Sequence, residues 1–189
     1  MINDHVASPG LAHREMAPEL DLLADLMGGT RRMRAAGARW LPRETAESWT
    51  AWRARLNRSI LFNGLSRTVQ TLVGRPFAKP VQLNDAHKAV LAVTNNIDGH
   101  GDRLASFSLR ILRALLIDGM VHILVDRPRD GGAPYFVLVR ANQLIGARRD
   151  ADGLTEVRIK EELIRPIGRF GEERISAVRM INPQEWQLW

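Results

Sequence analysis

Apolar positions recur at helical spacing through roughly the first two thirds of the chain and at strand-like spacing thereafter. Over 18–33 a helix is predicted, with Pro18 at a first helical position and Leu22, Leu23, Leu26 and Met27 on one side. Gly28 and Gly29 weaken it, and residues 1–17 lack periodicity and read as a flexible arm. Gly37 and Pro42 punctuate the chain around Trp40 and Leu41. Glu44 or Thr45 opens the next helix, which runs through Trp49, Trp52, Arg53 and Leu56 to a kink at 57–60. Over 59–73 the positions Leu65, Val69, Leu72 and Val73 form a third apolar stripe. A sharp junction follows: Gly74 to end the helix in the left-handed conformation, then Pro76 and Pro80 to impose a rigid extended exit, with Arg75 biased to extended geometry. An ordinary helix followed by a surface loop is the plainer alternative.

A shorter helix is expected over 85–95, and a loop of turn formers over 95–101. Asp102 is expected to cap the strongest helix of the chain, carried by Leu104, Phe107, Ile111, Leu112 and Leu115 and stopped by Gly119. The period then changes. Residues 120–125 and 134–139 read as a hairpin with a long loop, 141–144 as a helical turn, and 144–149 with 154–161 as a second hairpin around Asp150, Asp152 and Gly153. Val157 and Ile159 alternate with Arg158 and Lys160, which predicts a wet face, and 174–181 repeats the alternation. The fold class is therefore α+β: N-terminal helices, then a mostly antiparallel sheet with one long packed helix. Three regions result: a flexible arm (1–17), a helical region ending in the Gly-Arg-Pro junction (18–83) and an α+β region (84–189).

Charge changes this picture. The chain of 189 residues has a formal net charge of +6. Lysine occurs only at Lys79, Lys88 and Lys160. Arginine is concentrated from Arg31 to Arg75, opposed there only by Glu44 and Glu47. Arg31, Arg32, Arg34, Arg53, Arg55, Arg58, Arg67 and Arg75 are candidates for contact with a neighbouring subunit or with DNA, since guanidinium forks suit bidentate pairing and phosphate. A solvated face of Arg-rich helices is the plainer alternative. Trp49 and Trp52, three residues apart, share a helix face. Packing on a core is the favoured reading of this pair, and a stacking surface for bases is its competitor.

Chemistry-bearing motifs are sparse. The chain has no cysteine, which excludes disulfides, thiolate metal sites and a Cys nucleophile. Gly99-His100-Gly101 begins like a dinucleotide loop, but Leu104 stands where the third glycine belongs. The five histidines lack metal-ligand spacing, and Asp150-Ala151-Asp152-Gly153 brings its glycine too early for a calcium loop. No P-loop or nucleophile elbow is present. The sequence assigns no catalytic, cofactor or metal residue. Its longest apolar run, within 104–117, is cut by Arg110 and Arg113 and is too short to span a bilayer, so no membrane role is expected.

Three stretches carry a family resemblance. The first is 35–41 followed by Pro42 and 47–56. The second is Phe62-Asn63-Gly64 through Arg67-Thr68-Val69 and Leu72-Val73-Gly74 to Pro76. The third is 104–125 with Asp118-Gly119 and Ile123-Leu124-Val125-Asp126, then Pro134-Tyr135-Phe136. The Asp152-Gly153 turn, the 157–162 strand and the closing 179–186 strand follow in family order. Over roughly 26–189 the chain resembles the N-terminal, wing part of a tailed-bacteriophage portal protein, in a portal-like group known as a phage domain of unknown function. A full portal subunit is more than twice as long and continues into the stem and clip; this sequence stops before them. The resemblance implies a homo-oligomeric ring, commonly of twelve subunits, that forms the head-tail connector at one vertex of the virion head. Double-stranded DNA passes through it during genome packaging and ejection. Capsid, terminase and head-completion proteins are the implied partners, assembly takes place in the host cytoplasm, and no covalent chemistry is implied. A ring needs one patch to meet a different patch next door. The Arg-rich half against Glu161-Glu162 or Glu172-Glu173 is the expected pairing. The competing reading is a basic nucleic-acid-binding module built from 31–75 with Trp49 and Trp52.

Overall fold

A computed structural model describes residues 5–128 and 130–189. Helices come first: α1 (Leu11–Met27), α2 (Gly29–Ala36), α3 (Trp49–Arg58), α4 (Gly64–Gly74), α5 (Lys88–Val93) and α6 (Leu104–Asp118). Strands follow: β1 (Val121–Asp126), β2 (Tyr135–Arg140), β3 (Leu144–Asp150), β4 (Gly153–Ile167), β5 (Gly171–Ile181) and β6 (Trp186–Leu188). The chain is α+β, as its patterning indicates. The strands form two antiparallel sheets rather than one: β1–β2, and β3–β4–β5–β6 in sequence order.

The helical core is small. Val69 and Val73 of α4 and Ile117 of α6 are buried together, with Leu23 and Met27 of α1, Leu65 and Leu112 packed around them. These are the helically spaced residues of three different segments, so the apolar stripes meet each other. Phe107, the largest fully buried side chain, faces Phe136 of β2 at 6.4 Å between ring centroids, which joins α6 to the small sheet. The bidentate pair of Arg140 with the buried Asp118 repeats that link at the helix's other end. Asp118 holds the Arg140 guanidinium's pKa above its ordinary value, against burial. Gly119 closes α6 in the left-handed conformation with φ of 76°, as its position after the last periodic residue predicts.

Several boundaries move. The helix expected at 18 begins at Leu11, so Pro18 lies inside α1, midway along it, and the expected arm is partly helical. The residues before it are also tied down. Gly10 N donates to Ile145 O at 2.7 Å, and Arg158 Nη1 donates to Val6 O and Ser8 O at 2.8 and 2.9 Å. Residues 1–4 lie outside the described residues. Arg158 was expected on a wet face; the N-terminal segment covers it, and Gly146 makes room. A Cβ at Gly146 would sit 2.5 Å from Arg158 Nη2. Ser48, not Glu44 or Thr45, caps α3, and its hydroxyl accepts from Ala51 N. The kink expected over 57–60 is the end of α3, and extended chain leads from Ser59 to Asn63, which caps α4.

The junction differs from expectation in kind. Gly74 is the last residue of α4 and is not left-handed. Arg75 stays helical despite preceding a proline, and Pro76 opens a 3-10 turn, Pro76–Ala78. A proline at a first helical position lacks only an amide that has no partner there anyway, so the turn tightens instead of stopping. The extended exit begins at Lys79, and Pro80 lies in it. Asp102 does not cap α6. Its carbonyl accepts from Ile97 N, its carboxylate pairs with Arg110, and Arg103 occupies the cap. The loop before α6 closes on Asp98, whose carboxylate accepts the amides of His100 and Asp102. Burial acts to raise the Asp98 pKa, and those two amides outweigh it and hold it below its ordinary value.

The two sheets are tied by one cationic side chain. Arg179 of β5 reaches Asp126 of β1, lies 2.8 Å from Glu161 of β4 through Nε, and has the Trp186 ring at 5.3 Å. The Nε contact is off the axis of a hydrogen bond, so it counts as an ion pair; Nη2 donates to Glu161 at 3.3 Å. Tyr135 of β2 donates its hydroxyl to Asp126 at 3.1 Å. Burial pushes the Tyr135 pKa up, and the Asp126 carboxylate adds to the rise. For Asp126 itself burial acts upward, but the Arg127 amide and Arg179 prevail and hold it low. Removing Arg179 takes the shared cation from two partly buried carboxylates, Asp126 and Glu161. Arg179→Ala is expected to lower unfolding stability by about 3 kcal/mol in chemical denaturation. A loss within about 0.5 kcal/mol, as at an indifferent surface position, would contradict this account of the tie.

Candidate functional site

The candidate surface is the helical half from α2 to the turn after α4. Its arginines fall into two groups. The first group is structural. Asp25 of α1 is buried at 6% exposure and accepts Arg32 Nε and Trp40 Nε1, both at 2.8 Å. Arg39 adds a longer contact at 3.6 Å. The Arg32 and Trp40 hydrogen bonds hold the Asp25 carboxyl below its ordinary pKa, against burial. Arg34 donates twice to Ser59 O, at 2.9 and 2.6 Å, and so docks the segment after α3 onto α2. Arg55 grips Glu47 with a two-point fork at 2.9 and 2.7 Å and also reaches Pro42 O. That fork lowers the Glu47 pKa and raises that of Arg55.

The second group has no such employment. Arg31, Arg53, Arg67 and Arg75 are exposed, and their side chains have no ion-pair or hydrogen-bond partner among the described residues. Arg58 is exposed and donates only to its own helix, at Ala54 O. Of the eight candidate arginines, then, Arg32, Arg34 and Arg55 hold the fold, while Arg31, Arg53, Arg58, Arg67 and Arg75 point their charge at solvent. Nothing in spacing alone separates the groups; the acceptors are the carboxylates of Asp25 and Glu47 and the carbonyls of Pro42 and Ser59.

The two tryptophans divide in the same way. Trp52 is half-buried and donates Nε1 to Leu41 O at 2.8 Å. Trp49 is 64% exposed, meets Trp52 edge-on at 5.6 Å, and carries the Arg43 guanidinium over its ring at 5.0 Å. The expectation that both pack on a core fails for Trp49. Beyond α3, Ile60 and Phe62 stand at 81% and 79% exposure on either side of the half-buried Leu61. The acidic residues expected to meet these arginines are partly spent within the sheet: Glu161 on Arg179, Glu173 on Arg165 and Glu162 on Arg174 at 3.6 Å. Only Glu172 is without a partner among the described residues.

Among the described residues no three His, Asp or Glu side chains gather as metal ligands, and no helix is long and apolar enough to cross a membrane. Family models and curated protein sequences were compared with the chain, and none matches.

Asp25 supplies a pH signature. Its folded-state pKa is depressed, so its contribution to stability is complete above its ordinary value of 3.8 and is lost as pH falls through the folded-state value. Asp25→Asn is expected to flatten the acid limb of a stability-versus-pH curve; an unchanged limb would contradict the assignment. The division of arginines is testable too. Alanine at Arg31, Arg53, Arg67 and Arg75 is expected to change stability by no more than about 0.5 kcal/mol each, whereas Arg34→Ala leaves Ser59 O unpaired and loses about 1–2 kcal/mol.

Proposed function

We propose that the chain is a structural component of an assembly rather than a catalyst, and that the assembly is a portal-type ring at the head vertex of a tailed bacteriophage, formed in the host cytoplasm. One observation carries the assembly reading. The chain has an accessible surface of 13925 Å². A compact monomer of its 21.3 kDa mass exposes about 9,100 Å² on the usual mass scaling. Large apolar side chains make up part of the excess: Ile60, Phe62, Trp49, Ile164, Phe170 and Trp189 all stand mostly in water. Surface of this kind marks contacts with other macromolecules.

The portal assignment rests on the residue resemblance together with the helix-then-strand order. In that reading the helical half and the sheets form wing contacts with the next subunit and with capsid, terminase and head-completion partners. Double-stranded DNA passes through the ring centre, and the chain carries no cofactor. The unpaired arginines serve neighbours or phosphate. The test is self-association of the purified chain, measured by sedimentation and negative-stain imaging. Closed rings, or concentration-dependent oligomers that co-assemble with capsid protein, are the expected result. A monomer at every concentration that also ignores capsid protein would overturn the proposal.

A second reading, a nucleic-acid-binding module, is favoured by one observation: exposed Trp49 with Arg43 over its ring and unpaired Arg53 on the same helix. On that reading isolated DNA binds with affinity that falls steeply with salt, and Trp49→Ala weakens it. Weak DNA binding together with self-association favours the first reading.

A further inference from the structure

The β4–β5 hairpin outruns its sheet. Pairing of β3 with β4 ends at Leu144 and Ile159, and the β6 side ends where Val178 and Trp189 exchange backbone hydrogen bonds. From the pair Glu162–Ser176 to the pair Ile167–Gly171 the two strands continue with no third strand beside them. A two-stranded ribbon is marginally stable in water. This one is braced by the cross-strand pairs Arg165–Glu173 and Glu162–Arg174. Its tip is apolar and uncovered: Phe170 is 88% exposed and Ile167 is also exposed. Pro166 removes an amide from β4 near the tip, which disfavours extension of the ribbon by strand addition. The tip therefore offers side chains rather than a backbone edge.

The same chain holds a matching receptor. Between the two sheets lies a cleft of about 380 Å³ lined mostly by apolar residues, among them Leu124, Val139, Leu154, Val157 and Ile159. That is near the low end of the about 300–1,000 Å³ range of sites that admit small ligands. His122 Nε2 lies buried at this cleft without a partner. The charges near the two features are complementary. Arg169 and Glu172 flank the tip, Arg149 lines the cleft, and Asp152 sits in the turn beside it. None of the four has an ion-pair partner among the described residues. The tip cannot reach its own cleft, because Ile159 at the cleft and Ile167 at the tip are eight residues apart, about 27 Å along a strand.

We infer that the Ile167–Phe170 tip of one copy inserts into the inter-sheet cleft of a second copy, with Arg169 and Glu172 of the first paired to Asp152 and Arg149 of the second. Such a contact joins two different patches, the type that propagates around a ring or along a filament. The inference rests on the self-association proposed above and names its contact. The chain contains no cysteine, so single introduced thiols report cleanly. Phe170→Cys and Leu154→Cys both change exposed positions. The two variants are mixed, treated with a short bis-maleimide and resolved by size, with sedimentation run in parallel. A covalent dimer in the mixture and in neither variant alone is the expected result. Oligomers without that dimer, self-crosslinking of Phe170→Cys alone, or trapping of Phe170→Cys only by a different protein would overturn the contact while leaving the assembly reading intact. A strictly monomeric chain would overturn both. The charge exchange gives a second check. Arg169→Asp and Asp152→Arg are each expected to weaken association and to restore it when combined, and additive losses would contradict the pairing.

Discussion

The chain cannot cover its own apolar surface, and that constraint organises the rest of the structure. Its helical core is a handful of aliphatic side chains from α1, α4 and α6, and its two sheets enclose a cleft that is not filled. Burial of apolar area is the main favourable term in folding, and the apolar surface left outside is what the proposed assembly covers. Exposed large apolar residues occur on most elements from Leu11 to Trp189. The most exposed of them are Phe170 at the end of the β4–β5 ribbon and Ile60 and Phe62 on the extended segment after α3.

What the thin core leaves undone, charge-assisted hydrogen bonds take up. Asp25 gathers Arg32 and Trp40, Asp118 holds Arg140, Glu47 holds Arg55, and Arg179 bridges Asp126 and Glu161. Each joins elements that apolar packing alone leaves weakly connected. The preference for arginine over lysine follows, because a planar fork satisfies two acceptor atoms at once. The arginines left over after these ties are the ones available to a partner. The charge of the helical half is thus partly scaffold and partly directed at solvent, where the proposed assembly draws on it.

Elements with a strong period were legible in the sequence. The α6 stripe, its Gly119 stop, both hairpins and the α+β order were readable because local chemistry and tertiary packing agree there. The start of α1 was not, since the residues before Pro18 gain their helix from contacts with β3, such as His13 with Leu144 O. The junction misled because Pro76 serves as well at the first position of a turn as at the end of a helix. The cap of α3 at Ser48 lies past the expected Glu44 or Thr45, and that of α6 at Arg103 directly follows the expected Asp102. Of the candidate site, the arginine block itself was visible, but its division into ties and free charges depends on Ser59 O, Pro42 O and Asp25, which no spacing rule connects. The ribbon tip and cleft were invisible, because they arise only from where β3 and β6 stop.

Backbone hydrogen exchange measured over a range of protein concentrations tests the central claim most directly. If the surface left open by folding is completed by further copies, amides of the ribbon and of the segment after α3 gain protection as concentration rises, while those of α6 stay constant. Protection that is independent of concentration throughout the chain would contradict the account.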